Sequence, residues 1–402
     1  MRWGPAGNSP LNTVVMSGLA AILILGAAWY FASDTARPGD GVPTYVPSFA
    51  GEQVEQLQRQ SIASKHDLKE RLALSAAQPE SLEIAVTMAR RHYDRARREG
   101  EPRELGLAQS ALGHWWDQPD APVPVLLMRA AIRQYQHDFA GALVDLKQAI
   151  AAEPSNIQAW LSQAAIQQTT GRLSEAAQSC GRIVALSDHI AGHVCLADLA
   201  SMKGDQDALH RIGRQLQGRR VATSERPWIL TVQAEMAERL GRDQEADRLF
   251  RAAIAADPAS YARVAYADFL LLEGRSGEID ALLEGAPSTD AVLLRRAIAF
   301  KRRNDPRAQA AIEELRRRFE SSVSRDDSLH LREMARFALE IQGDTSAALA
   351  LARRNWALQK EPADALLLAA AARAAGHPAA AAPVRDFARD PGLFDVRLDA
   401  LL

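Results

Sequence analysis

Alanine and single large apolar residues recur at helical spacing through the middle of the chain, separated by polar positions. In Gly241–Pro258, "GRDQEADRLFRAAIAADP", the residues Ala246, Phe250, Ala253 and Pro258 stand 4, 3 and 5 positions apart. Offsets of 4 and 3 place side chains on one face of a helix, and the charged residues between them fall on the other. The segment "DFAGALVDLKQAIAAEP" repeats the spacing with Ala142, Leu146, Ala149 and Pro154. Gly171 precedes a third copy with Ala176 and Cys180, and Gly343 precedes a fourth with Ala348 and Ala352. Alanine on such a face lets a partner helix approach closely, and the larger residue fills the space beside it. Glycine permits the turn, and proline stops one pair of helices and starts the next. Runs of Val, Ile and Thr that would signal a sheet are scarce. The pattern predicts an all-α body of antiparallel helical hairpins from about Pro79 to Asp390, broken at Gly100-Glu101-Pro102, at "DQPDAPVP" and at Asp305-Pro306.

A different pattern opens the chain. Leu11 through Ser33 carries no charged residue. At about 1.5 Å of helical rise per residue, such a run spans a hydrocarbon core of about 30 Å. Trp29, Tyr30 and Phe31 stand at its far end, where an interfacial aromatic belt belongs. A cleaved signal would carry more basic residues and a shorter apolar run. Here Arg2 is the only basic side chain before the segment, and the apolar run continues past the small residues Gly26-Ala27-Ala28. The expectation is an uncleaved transmembrane helix at 11–33, behind a short tail at 1–10 and engaging the lipid bilayer. The bias of positive charge puts the N-terminus in the cytoplasm and the body on the exported side. Residues 34–50 contain "RPGDGVPTYVPS", whose prolines and glycines exclude helix and strand interiors and read as a tether.

The hairpin spacing resembles the tetratricopeptide repeat, a unit of about thirty-four residues with two antiparallel helices, alanines at the tight crossings and a proline at the exit. Trp160 stands at the consensus tryptophan position of the unit Ile157–Ile190, whereas Leu230 takes that place in Pro227–Ser260. The best-matching units cover 121–260, preceded by a helical region at 51–120. Residues 261–402 are divergent hairpins, with short second helices as in "GRSGEIDALLEGAP", and the closing "FDVRLDALL" is expected to cap the last exposed apolar face. The layout of one anchor followed by such repeats is similar to that of bacterial inner-membrane scaffold proteins. The resemblance implies binding of a protein or peptide without catalysis, in a concave groove formed by the first helices. By repeat position that groove includes Gln134, Tyr135, Gln168, Glu235, Arg239, Tyr266 and Phe269. Met128 and Ser162 stand where a carboxylate clamp would place asparagines, so a C-terminal tail is not the expected ligand.

Composition adds little to this and excludes some alternatives. The chain has 402 residues, 47% hydrophobic and 24% charged, with a net charge of -2. Near-neutral charge gives no reason to expect nucleic acid, and the arginine clusters lack interleaved stacking aromatics. No phosphate loop, G-x-S-x-G elbow or C-x-x-C pair is present, and no cofactor is expected. Cys180 and Cys195 are the two cysteines. They fall seven or eight residues either side of a turn near Ser187 and Asp188, which places them level on neighbouring helices and makes them a disulfide candidate. His189 and His193 share i, i+4 spacing, and an envelope metal-binding or enzymatic protein using them is the alternative reading. The zinc-protease signature fails because Ile190 stands where its glutamate should follow the first histidine. A cytoplasm-facing membrane adaptor is the other alternative. Trp115 and Trp116 read as packing residues beside a proline-rich break rather than as a partner contact.

Overall fold

The computed structural model describes residues 81–259, 261–324 and 330–402. The proposed membrane segment 11–33 with Trp29, Tyr30 and Phe31, and the tether 34–50, lie outside the described residues. Among the described residues no helix is long and apolar enough to cross a membrane. Every regular element among them is helical.

The chain enters on α1 (Leu82–Glu99), which packs against α2 (Arg103–Ala111) and is followed by the one-turn α3 (Gly113–Trp116). Four hairpins then follow in order: α4 (Val123–Tyr135) with α5 (Phe139–Ala152), α6 (Ile157–Thr169) with α7 (Leu173–Ser187), α8 (Ile190–Met202) with α9 (Ala208–Leu216), and α10 (Arg226–Arg239) with α11 (Asp243–Ala256). The next unit pairs α12 (Ala262–Leu272) with the short α13 (Ile279–Leu282). Then come α14 (Asp290–Arg302) with α15 (Ala308–Ser324), and α16 (Leu331–Arg336), which widens into a π-helical turn at Phe337–Gln342 before α17 (Thr345–Leu358). Last are α18 (Pro362–Ala374) and α19 (Ala382–Phe387).

Local chemistry sets the boundaries. The Asp138, Asn156 and Asp344 side chains accept from the third following backbone N–H at the starts of α5, α6 and α17. Each of the eight hairpin turns carries one left-handed residue. These are His137, Gly171, Gly204, Gly241, Gly274, Asn304, Gly343 and Gly376. Within the hairpins the alanine spacing is the packing code. Ala142, Leu146 and Ala149 of α5 are fully buried, as are Ala246, Phe250 and Ala253 of α11. Phe250 meets Tyr266 and Phe269 of α12 at ring-centroid distances of 5.5 and 5.8 Å, so it joins two hairpins as well as filling one. Trp115 is buried, and the Arg129 guanidinium donates to the Trp116 and Gln118 carbonyls while pairing with buried Asp145. These tryptophans are packing residues, as the break beside them suggests.

The chain end goes further than expected. "FDVRLDALL" packs on the last hairpin through Leu398 and Leu401, and it also reaches well beyond it. Its backbone crosses the turns of earlier hairpins: Phe394 N donates to Met202 O at 2.6 Å, and Val396 N donates to Arg239 O at 3.1 Å. The end of α17 makes a parallel crossing. Lys360 N donates to Thr169 O at 2.8 Å, Thr169 Oγ1 bonds Glu361, and Gln359 approaches His137 at 3.3 Å. Together these segments form a strap over the turn side of four successive hairpins, α4–α5 through α10–α11. Burial explains the route. Leu393 and Leu398 share one buried cluster with Leu173, Leu199 and Met202 of the middle repeats and Leu368 and Phe387 of the last ones. At the other end, Gly100 after α1 lies against Thr289 before α14. The array is therefore curled shut where the sequence pattern predicts an open groove.

Candidate functional site: a cavity inside the curl

The curl leaves a cavity of about 1140 Å³. One wall is built from a stripe of the first helices. Asp198, Glu235 and Asp268 each stand six residues before a turn glycine, in "LADLA", "QAEMA" and "YADFL". All three face the cavity, with Glu238 and Leu271 one turn further along α10 and α12. The facing wall comes from α14, α16 and α18, through Arg295, Arg332, Arg336 and Leu366. Arg397 and Leu401 of the strap, with Arg97 and Arg98 of α1, complete the lining.

The lining combines apolar side chains with a dense network of charges. Asp198 is held by Arg239 and by Gln168 Nε2 at 2.7 Å. Asp268 accepts from Arg295 at 2.5 Å and Arg336 at 2.6 Å. Burial works against its charge, but the two guanidiniums overcome that cost and hold it down to about 2. Arg332 bridges Glu361 and Asp364, each at 2.6 Å. Burial still pushes Glu361 up to about 6, with Arg332 opposing. Glu238 pairs with Arg397 of the strap, yet burial raises it to about 7. Glu235 rises well above the ordinary carboxylate range because burial dominates and Arg239, already committed to Asp198, opposes it only in part.

Of the residues read as groove residues from repeat position, Tyr135, Gln168, Glu235 and Arg239 line this cavity. Gln134, Tyr266 and Phe269 do not. Gln134 sits about 100° around α4 from Tyr135. On α12 the cavity stripe is Val264, Ala265, Asp268, Leu271 and Leu272, and Tyr266 and Phe269 lie on the other side against Phe250. Register drifts after Pro258, so counting on from α10 selects the buried face. The wall from α14, α16 and α18 was missed because its helices are remote in sequence. The acid six residues before the glycine was a usable signal for the near wall.

His189 and His193 do not form a chelating pair. His189 is the N-cap of α8, in an extended conformation, with its ring accepting from Ala191 N. His193 contacts Asp188 Oδ1 at 2.6 Å, and Asp188 also holds Arg219 at 2.8 Å. The i, i+4 spacing creates a shared face only when both residues are helical. Among the described residues no group of three or more His, Cys, Asp and Glu side chains is arranged to hold a metal ion. Cys180 of α7 and Cys195 of α8 are joined through their sulfurs, with Cα atoms 6.0 Å apart.

No family model and no curated relative matches this chain. Solved structures resemble it at low identity. A tetratricopeptide repeat protein from Parabacteroides merdae ATCC 43184 is 13% identical, with a TM-score of 0.36 over 71% of this chain and 99% of its own. The human IFIT1 dimer with m7Gppp-AAAA is 13% identical, with a TM-score of 0.42 over 81% of this chain and 85% of its own. The APC/C hetero-tetramer Cut9-Hcn1 is 12% identical, with a TM-score of 0.39 over 81% and 84%. The tetratricopeptide-like character of the body rests on its own hairpins, with alanines buried at the close crossings of α4–α5 and α10–α11 and a left-handed residue at each turn.

Proposed function

We propose that this chain is a non-catalytic scaffold that holds a segment of a partner protein inside the cavity. Residues 11–33 anchor it in a bacterial inner membrane, with the body on the periplasmic side, where it serves assembly or maintenance of an envelope complex. The observation that carries the binding reading is the cavity itself, whose mixed apolar and charged lining suits a polypeptide. Arg239, Arg295, Arg332, Arg336 and Arg397 within it are paired with carboxylates of the chain, which speaks against a phosphate backbone as the guest. Site-specific photocrosslinking in membranes tests the reading. A benzoylphenylalanine at cavity-lining Val264 should capture a reproducible partner, whereas one at exposed Val144 on α5 should not. Equal capture at both, or none at Val264, sinks the proposal.

The bonded Cys180–Cys195 pair favours export over the cytoplasm-facing adaptor, since such bonds persist in oxidising compartments. Thiol labelling of rapidly quenched cells decides between them. Two free thiols in the native protein would refute the periplasmic placement.

A further inference from the structure

The first helices of the middle hairpins end on a repeated pattern. Thr169, Met202 and Arg239 are the last residues of α6, α8 and α10. Each stands two positions before a left-handed turn glycine, Gly171, Gly204 or Gly241. The final carbonyls of a helix have no partner within it. Here each of the three accepts a backbone N–H from the strap: Lys360 N at 2.8 Å, Phe394 N at 2.6 Å and Val396 N at 3.1 Å. Phe394 and Val396 are two residues apart, the period with which an extended chain repeats on one side. Phe394 lies 3.5 Å from the place of a Cβ on Gly204, and Val396 3.3 Å from one on Gly241. The turn edge of α8–α9 and α10–α11 thus receives an extended segment through main-chain hydrogen bonds, as exposed edges receive added peptides.

The edge continues where the strap leaves it. Leu272 ends α12 two positions before Gly274, in the place that Met202 and Arg239 hold on their hairpins. Nothing lies within 4 Å of a Cβ on Gly274, and Leu272 is 60% exposed. The segment that covers the earlier turns is unevenly held. Leu393, Asp395 and Leu398 are buried, whereas Val396, Asp399, Ala400 and Leu402 are exposed. Gly392 precedes it with φ of +99° and nothing within 4 Å of a Cβ, which leaves room for the segment to swing.

We infer that this edge is a docking site for an extended segment of a partner protein with apolar residues two positions apart, and that residues 393–402 occupy it in cis until such a segment replaces them. This rests on the scaffold reading above and names how the partner is first met. Recognition through the main chain accepts a second segment with the same donors, and a longer one can run on over Gly274. Arg397 and Leu401 line the cavity, so replacing residues 393–402 also removes two side chains from its wall.

The test adds the acetylated peptide GLFDVRLDALL, the sequence of residues 392–402 made with heavy isotopes, to the full-length protein in detergent. The peptide should bind, and the protein's own residues 393–402 should lose hydrogen-exchange protection while α8 and α10 keep theirs. Leu398→Ala, its fold checked by circular dichroism, should bind the peptide roughly tenfold more tightly, because apparent affinity scales with the fraction of open edge. Methylating the peptide nitrogen of Phe394 or Val396 removes one donor and should weaken binding about tenfold, whereas methylation at Asp395 should matter little. Leucine for Phe394 with isoleucine for Val396 should preserve binding, and alanine at both should weaken it about tenfold. If the wild type binds nothing at millimolar peptide, the segment is a fixed part of the fold and the inference falls. Binding that leaves residues 393–402 protected, equal loss at all three methylated positions, or indifference to alanine overturns it as well. None of these outcomes bears on capture at Val264, by which the scaffold reading is judged.

Discussion

The α10–α11 hairpin and the strap are held by different physics. In the hairpin, Ala246, Phe250 and Ala253 of α11 are buried against a helix that directly precedes them in sequence. The contacts are local, and each follows from one helical period. The strap joins residues 192 positions apart at Thr169–Glu361 and 159 apart at Glu238–Arg397, through polar contacts added to the burial of Leu393 and Leu398. Closing such loops costs more entropy than closing a hairpin, so the strap depends on a few long-range anchors. The hairpin should therefore be the robust element, and the strap the first to open.

The harshest way to break the contrast is to damage the hairpin. Phe250→Ala removes a fully buried ring that packs on Tyr266 and Phe269 and should destabilise the body by about 3–5 kcal/mol. Urea denaturation followed by circular dichroism measures it. A loss below about 1 kcal/mol would mean that the packing code is not what holds the repeats. Damage to the strap should be more selective. Arg332→Ala leaves Glu361 and Asp364 uncompensated in the interior and should cost about 3 kcal/mol. Leu398→Ala should cost about 2 kcal/mol, at the low end for a buried leucine. Hydrogen exchange should accelerate at residues 359–361 in the first variant and at 393–402 in the second, while α10 and α11 stay protected. Equal acceleration in both regions would erase the distinction.

That distinction also explains what the sequence made legible. The helical class, the hairpins and their turns could be read because alanine at 4 and 3 spacing, Phe250 and a turn glycine determine a hairpin within about thirty residues. The near wall of the cavity followed in part, through Tyr135, Gln168, Glu235 and Arg239. The far wall was invisible, because Arg295, Arg332 and Glu361 acquire their meaning only when the array curls shut. The further course of "FDVRLDALL" over the earlier hairpins was not legible, because the segment looks the same whichever apolar surface it covers. Tyr266 and Phe269 fall on the other side of α12 because one or two residues of drift rotate a helix by roughly 100–200°.

Titration sharpens the comparison more gently, since the raised carboxyls belong to the cavity and strap. Glu238 is raised to about 7 and Glu361 to about 6, against an unfolded value near 4.3. Between those values the folded chain binds more protons than the unfolded one, so stability falls as pH rises. Asp247 and Asp268, held down to about 2, stay ionised in both states above pH 5 and do not contribute to this slope. Denaturation at pH 5 and pH 8 should show a loss of up to about 4 kcal/mol at the higher pH, the roughly three pK units that Glu238 and Glu361 together span above pH 5. Glu238→Gln should flatten that slope, whereas a slope of opposite sign would contradict the assignment.

The smallest effect isolates a single contact of the strap. Gly241 and Gly274 are turn glycines with φ of +70° and +71°, so alanine at either carries the same left-handed backbone penalty, on the order of 1 kcal/mol. They differ in what a new methyl group would meet. At Gly274 it finds nothing within 4 Å, whereas at Gly241 it finds Val396 Cγ2 of the strap at 3.3 Å. That distance is tight enough that the strap must shift by a few tenths of an ångström. Gly241→Ala should therefore cost roughly 0.5 kcal/mol more than Gly274→Ala, a modest overpacking at a partly exposed site. The excess should vanish when Val396 is also changed to alanine, because the added methyl group then has room. If the excess persists without Val396, it arises in the hairpin turn itself, and the strap does not press on α10–α11 as the structure has it.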